Sequence, residues 1–191
     1  MSTFRQKHIS VNSPSKRDRT RAKLLEVALA LFERQGYEQT SVGEIAAAAG
    51  VVRQTVVNHF SRKDDFVAAW GEQRRAWLAQ QSPDTTLTPR AAIAFVFDRL
   101  AERNESERAL TAALHPHYLA VVRPPVVPAA VLSAVERAQA AGDLRSNLSA
   151  AMIAQVLMAI YFDTLTRWLT DPAAPPLAES LHERIGLVVN P

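Results

Sequence analysis

At 191 residues and 21.0 kDa the chain is long enough for one or two small domains, and its 48% hydrophobic and 21% charged content is an ordinary globular balance. It has no cysteine, which excludes disulfides and thiolate metal sites and fits a reducing compartment. The net charge of +3 is uneven: residues 1–81 carry 13 Lys and Arg against 8 Asp and Glu, and residues 82–191 carry 9 against 11. The positive excess in the first part suits a phosphate-bearing partner.

Met1 to Ser15 is polar, lacks periodicity and contains Ser13-Pro14-Ser15, so a disordered basic tail is expected over 1–15. Extended to Lys23, the segment holds seven Lys and Arg against one acid, Asp18. It fits an arm lying along phosphates or in a minor groove, and equally a solubilising tail. No apolar signal-peptide core is present, and the longest apolar run, Ala150 to Phe162, contains Gln155 and is too short for a bilayer. A cytoplasmic protein without membrane contact is the expectation.

Helical periodicity of Leu24, Leu25, Ala28, Leu31 and Phe32 predicts a first helix over about 16–35, stopped at Gly36. Ser41-Val42-Gly43-Glu44 is a capping box that opens a short second helix with Ile45, Ala46 and Ala49 inward. Gly50 supplies its left-handed stop, and a third helix is expected over about Val52 to Phe60 with Val56 and Phe60 inward. Arg53, Gln54, Thr55, Val57, Asn58 and His59 then fall on or near its outer side. Two short helices about a glycine turn, the second with a polar exterior, have the helix-turn-helix layout, whose second helix enters the DNA major groove. A small helical hairpin in some other all-α protein fits the same spacing.

A fourth helix is expected from about Lys63 to Gln81, with Phe66, Trp70, Gln73 and Trp77 along one face, then a linker at Ser82 to Leu87. Thr88-Pro89 begins a helix that should fray near Asn104, and another is expected over about 105–114, broken near Pro116. His115 and His117 lie two apart with no carboxylate close by, a poor metal set, so no metal and no cofactor is expected. A polar contact in a ligand pocket suits the His115–Tyr118 stretch better. Further helices are expected over about 126–141, 149–170 and 176–189. The 149–170 helix is nearly all apolar up to Phe162, so it must be covered on every side. A four-helix interface in a two-fold homodimer through 149–170 and 176–189 provides that cover, as would a wholly intramolecular core.

Gly36-Tyr37, Thr40-Ser41-Val42, Ile45-Ala46, Ala49-Gly50-Val51, Thr55-Val56-Val57, His59-Phe60 and Lys63 stand in the order and spacing of one pattern. By it the stretch from about Arg17 to Trp70 resembles the DNA-binding part of the TetR (tetracycline-repressor-type) family of bacterial transcription regulators. The resemblance implies an all-α protein of about nine helices. A three-helix helix-turn-helix domain at 16–62 would precede a helical-bundle ligand-binding and dimerisation domain at 63–191. It implies double-stranded DNA with a pseudo-palindromic operator as one partner, a small-molecule effector as another, and a homodimer through the last two long helices. Arg53, Gln54 and Thr55 would face base edges, and Ser41, Asn58, His59 and Lys63 would meet phosphates, with Thr40 and Val57 completing the DNA-facing set. Two residues depart from the pattern: Val57 stands where the family usually has Tyr, and Val52 where Ser or Thr commonly caps the helix. Val57 still offers contact to a thymine methyl.

The effector pocket is expected to draw on Phe95, Arg99, His115, Tyr118, Tyr161 and Phe162. The implied function is a repressor released from its operator by a ligand. The alternative is a ligand-binding helical dimer with weak or lost DNA binding, prompted by Val52 and Val57. An enzyme is not expected: the chain lacks G-x-S-x-G, H-E-x-x-H and a phosphate-binding glycine loop, and holds only six glycines.

Overall fold

Helix signals in the sequence are answered one by one in the computed structural model, which describes residues 15–81, 86–122 and 126–189. Among the described residues there are nine α-helices and no strand. They are α1 (Lys16–Gln35), α2 (Val42–Ala49), α3 (Arg53–His59), α4 (Asp64–Ala79), α5 (Pro89–Ser106), α6 (Arg108–Val121), α7 (Ala129–Ala140), α8 (Ala150–Thr170) and α9 (Leu177–Val189). Of the expected tail, only Ser15 falls within the described residues, and it is structured. Its side chain accepts from the Asp18 N–H and its N–H donates back to Asp18, a capping box that starts α1. Most of the expected linker, residues 82–85, lies outside the described residues.

Helix α2 is held at both ends and α3 at its C-terminal end. Ser41 and Glu44 close the expected capping box on α2, and Gly50 leaves it at φ 69°, ψ 36°, the left-handed turn that a residue without Cβ adopts freely. From α1, Lys23 Nζ donates to the Ala49 carbonyl (2.9 Å), and the Arg21 guanidinium donates to the His59 carbonyl. Two cations thus sit at the negative ends of α2 and α3, where helix dipoles favour them. Helices of eight and seven residues are too short to persist alone, so these caps and the buried Ile45, Val56 and Phe60 position them.

Three elements depart from the sequence expectations. Asn104 is no fraying point: it is 1% exposed inside α5, which continues to Ser106 because its side chain is fully engaged there. The helix expected to break at Pro116 instead runs as α6 through that proline to Val121. Pro116 and Ala112, whose carbonyl the proline leaves without its helical donor, are both exposed, so the lost bond lies on the solvated side. Finally, α7 begins at Ala129, since Pro128 acts as its N-cap and Val126 to Pro128 lie outside the helix.

Two hydrophobic cores result. One joins α1, α2 and α3 to Phe66, Val67, Ala69 and Trp70 of α4 and to Leu110, Leu114 and Tyr118 of α6. The other is built by α5, α7, α8 and α9, with Leu78 from the far end of α4. Helix α4 therefore belongs to both cores, its first half to one and its last turn to the other. Helix α8 is not covered all round: Met152 is 51% and Val156 44% exposed, and Leu187 on α9 is 77% exposed. No helix among the described residues is long and apolar enough to cross a membrane.

Candidate nucleic-acid interface and effector cavity

On α3 the buried Val56 (0% exposed) defines the inward direction. At about 100° per residue, Gln54 and Asn58 occupy the opposite sector and Val57 lies at its edge, about 100° round from Val56, and all three, with Arg53, are exposed. Gln54 Nε2 donates to Asn58 Oδ1 at 2.9 Å, which fixes the two amides side by side on that surface. Val52 is the N-cap and makes no side-chain cap bond, as the missing hydroxyl requires. Thr55 and His59 are half-buried at the flanks, and the Nδ1 of His59 is enclosed with no hydrogen-bond partner.

The remaining sequence-selected residues of this surface have structural partners. Ser41 is exposed and caps α2. Thr40 is 1% exposed and its hydroxyl donates to the Gly36 carbonyl (2.8 Å), so its side chain is spent on the turn after α1 and is not presented outward. Lys63 donates to the Tyr37 carbonyl (2.9 Å) and lies over the Tyr37 ring, 4.1 Å from its centroid. Its ammonium group is thus tied to the α1–α2 turn. Tyr37 also donates to Asp64 Oδ1 (2.6 Å), and burial with that carboxylate nearby pushes its phenol well above the ordinary range.

Away from this surface, a small cavity of about 50 Å³ lies where α4, α6 and α8 meet. Apolar side chains such as Leu78, Leu100, Met158 and Leu165 line it, together with Arg74, Arg75, Asn104, His115, Tyr118, Tyr161 and Phe162. Of the residues expected there, His115, Tyr118, Tyr161 and Phe162 are present. Phe95 and Arg99 are not: Phe95 packs against the second core, and Arg99 pairs with Glu102 and faces Trp77. Both project from α5 on sides other than the one Leu100 and Asn104 turn to the cavity.

Sequence reading missed the polar centre of this cavity. Arg74 on α4 is buried and donates to Asn104 Oδ1 (2.6 Å) and Glu107 (2.9 Å). Asn104 in turn donates to the Tyr161 hydroxyl (2.8 Å) and the Leu100 carbonyl (2.6 Å). Arg75 donates to the Tyr118 hydroxyl at 2.9 Å. A basic pair midway along an amphipathic helix reads as surface, and only the α5–α6 turn that brings Glu107 to Arg74 makes it interior. His115 Nε2 lies 2.8 Å from Thr166 Oγ1, whose single hydrogen goes to the Phe162 carbonyl (2.8 Å). The ring therefore donates from Nε2 and is neutral: burial, helped by the Arg74 charge, lowers its pKa to about 4. Among the described residues no cluster of three or more His, Asp or Glu is placed to hold a metal.

The described residues form a helix-turn-helix headpiece on a helical bundle with an internal polar-centred cavity. Residues 24–70 match the family described as bacterial regulatory proteins, tetR family, and the chain carries that family's N-terminal domain. A 52-residue stretch is 52% identical to the HTH-type transcriptional regulator AcrR of Shigella flexneri. That match spans 27% of this chain and 24% of the relative's length. Over most of the chain the fold is that of solved regulators. The FadR repressor of Thermus thermophilus, in complex with lauroyl-CoA, superposes with TM-score 0.72 at 24% identity, covering 87% of this chain and 92% of that one. SmeT, the repressor of the Stenotrophomonas maltophilia efflux pump SmeDEF, gives TM-score 0.66 at 23% identity, with 87% of each chain covered. FadR of Bacillus subtilis, in complex with stearoyl-CoA, gives TM-score 0.65 at 15% identity, covering 88% of this chain and 97% of that one.

Proposed function

We propose that the protein is a dimeric, sequence-specific DNA-binding repressor of transcription, released from a pseudo-palindromic operator by a small-molecule effector. The observation that carries this reading is the exterior of α3, where Arg53, Gln54, Val57 and Asn58 stand exposed on a helix fixed by buried Val56 and Phe60. Such a helix supplies base-edge donors and acceptors, and two copies related by a two-fold axis would engage half-sites a whole number of helical turns apart. Residues 16–62 act as the DNA-binding domain and 63–191 as the ligand-binding and dimerisation domain, with Ser41, His59 and Lys63 nearest the phosphates and Asn58, paired with Gln54, turned to the base edges. The protein works in the cytoplasm and is not an enzyme.

The effector site is the cavity between α4, α6 and α8, with His115, Tyr118, Tyr161 and Phe162 as its aromatic lining. About 50 Å³ admits only a few water-sized groups, whereas small-molecule sites commonly occupy about 300–1,000 Å³. A ligand of ordinary size must therefore part α4 from α6 at the Tyr118 contact. Because α4 begins directly after α3, that displacement tilts the headpiece. The ligand favours the form that binds DNA less well, and linkage makes the effect reciprocal. The relatives crystallised with acyl-CoA esters make long-chain acyl thioesters a first class of compound to try.

The deciding experiment is binding of the full chain to DNA flanking its own gene, against a scrambled competitor and across a salt series. Selective binding that weakens steeply with salt is expected. Equal, weak binding to both DNAs would overturn the reading and leave a ligand-binding dimer.

A further inference from the structure

Among the described residues up to Gln81, the exposed large apolar side chains are Val52 (70%) and Val57 (37%), and every other such residue lies between Leu87 and Leu187. The headpiece thus places its exposed aliphatic surface on α3 and its N-cap, the surface proposed to meet DNA. An isolated exposed valine means little. Here Val57 is the i+3 neighbour of Gln54 and stands at the edge of the outward sector that the Gln54 and Asn58 amides fill.

The amide pair beside it is already half committed. Gln54 Nε2 donates to Asn58 Oδ1 (2.9 Å), so Gln54 Oε1 remains as an acceptor and Asn58 Nδ2 as a donor. Adenine offers the complementary N6 donor and N7 acceptor in the major groove, and its partner thymine carries a 5-methyl group on the same groove edge. A donor, an acceptor and a methyl-sized aliphatic surface side by side match an A·T pair and no other.

We propose that Val57 is a specificity-determining residue that reads a thymine 5-methyl group, while the Gln54–Asn58 pair reads adenine of the same or the adjoining base pair. The inference rests on the DNA-binding reading above and deepens it. Val57 supplies what a phenol at this position does not: a dry contact that rewards one methyl group and makes no hydrogen bond. Burying a single CH₂-sized group changes affinity about four-fold, so the effect per thymine is small but readable.

The test uses the full chain and a randomised DNA duplex library, selected for binding at moderate salt. Each thymine of the recovered sequence is then replaced singly by deoxyuridine, which removes the methyl and keeps the pairing. Wild-type affinity is expected to fall about four-fold at one thymine position per half-site. Val57→Ala is expected to bind the thymine and uracil duplexes equally, with an unchanged helical circular dichroism spectrum. The proposal is overturned if every replacement is neutral, if Val57→Ala keeps the discrimination, or if the selected sequence lacks A·T pairs. Failure to enrich any sequence would sink the DNA-binding reading itself, and this inference with it.

Discussion

The ring edge of Tyr118 on α6 comes up against the bare backbone of Gly71 on α4: a Cβ at residue 71 would stand 2.1 Å from Tyr118 Cε2. The approach is made possible by the missing side chain, and it seats Tyr118 edge-on to Trp70 (centroids 5.8 Å, planes at 84°) with its hydroxyl held by Arg75. Gly71→Ala must therefore push a ring, not a flexible chain end. It is expected to destabilise the fold by about 1–3 kcal/mol in denaturant unfolding. Adding Tyr118→Ala to it should cost less than the two single changes together, because the clash is gone. An alanine variant as stable as the parent would refute the close contact.

Arg74 and Glu107 form an asymmetric pair. Glu107 has a second cation, Arg103 Nη2 at 2.7 Å, but among the described residues Arg74 has no second anion within salt-bridge distance, and its side chain is only 10% exposed. Removing Glu107 leaves a buried guanidinium with the neutral Asn104 oxygen, whereas removing Arg103 leaves the buried pair intact. Glu107→Ala is expected to cost about 3–5 kcal/mol, the range for orphaning a buried charge. Arg103→Ala should cost about 1 kcal/mol or less, as for a partly exposed pair. Equal losses in parallel urea titrations would contradict this ordering.

How far the sequence discloses this arrangement depends on the range of the interactions involved. Ser41, Glu44, Gly50, Thr88 and Ser149 act through hydrogen bonds or backbone angles within a few residues, and each marks its helix end as the sequence implies. Val56 and Phe60 are buried because a short amphipathic helix has one inward direction. Pro116 misleads for the converse reason: a local rule predicts a break, and the packing of Leu114, His115 and Tyr118 on either side holds α6 together. Phe95 and Arg99 cannot be told from true cavity residues by type alone. Their place follows from the rotation of α5, which long-range packing against α7 and α9 sets.

His115 carries a pH signature. Its pKa in the fold is about 4, set by burial and then by the Arg74 charge, against an ordinary value of 6.5. A depressed histidine means that the unfolded chain binds more protons below pH 6.5. Its contribution is therefore intact above that pH and is lost progressively as pH falls towards about 4. The loss is on the order of 2–3 kcal/mol. His115→Gln, which keeps a donor for Thr166, is expected to flatten that part of the curve. The same slope between pH 6.5 and 4 in both proteins would show that His115 does not titrate as inferred.

Met152 and Val156 on α8, with Leu187 on α9, form an exposed apolar strip, and Leu148 (37% exposed) extends it beyond the start of α8. A shallow apolar groove of about 250 Å³ runs along them. Their exposure is costly in a monomer and is relieved when a second copy lays the same two helices across them, which a two-fold axis permits because the patch faces itself. Val156 is the best probe, since it is 44% exposed and its substitution leaves the neighbouring buried Leu157 in place. Val156→Glu puts two carboxylates into the proposed interface, where neither has a partner, so the dimer is expected to weaken at least a hundred-fold at about 3 kcal/mol of penalty. Sedimentation should report a folded monomer with unchanged helical content. If the variant remained dimeric at micromolar concentration, the interface would have to lie on another face of the bundle.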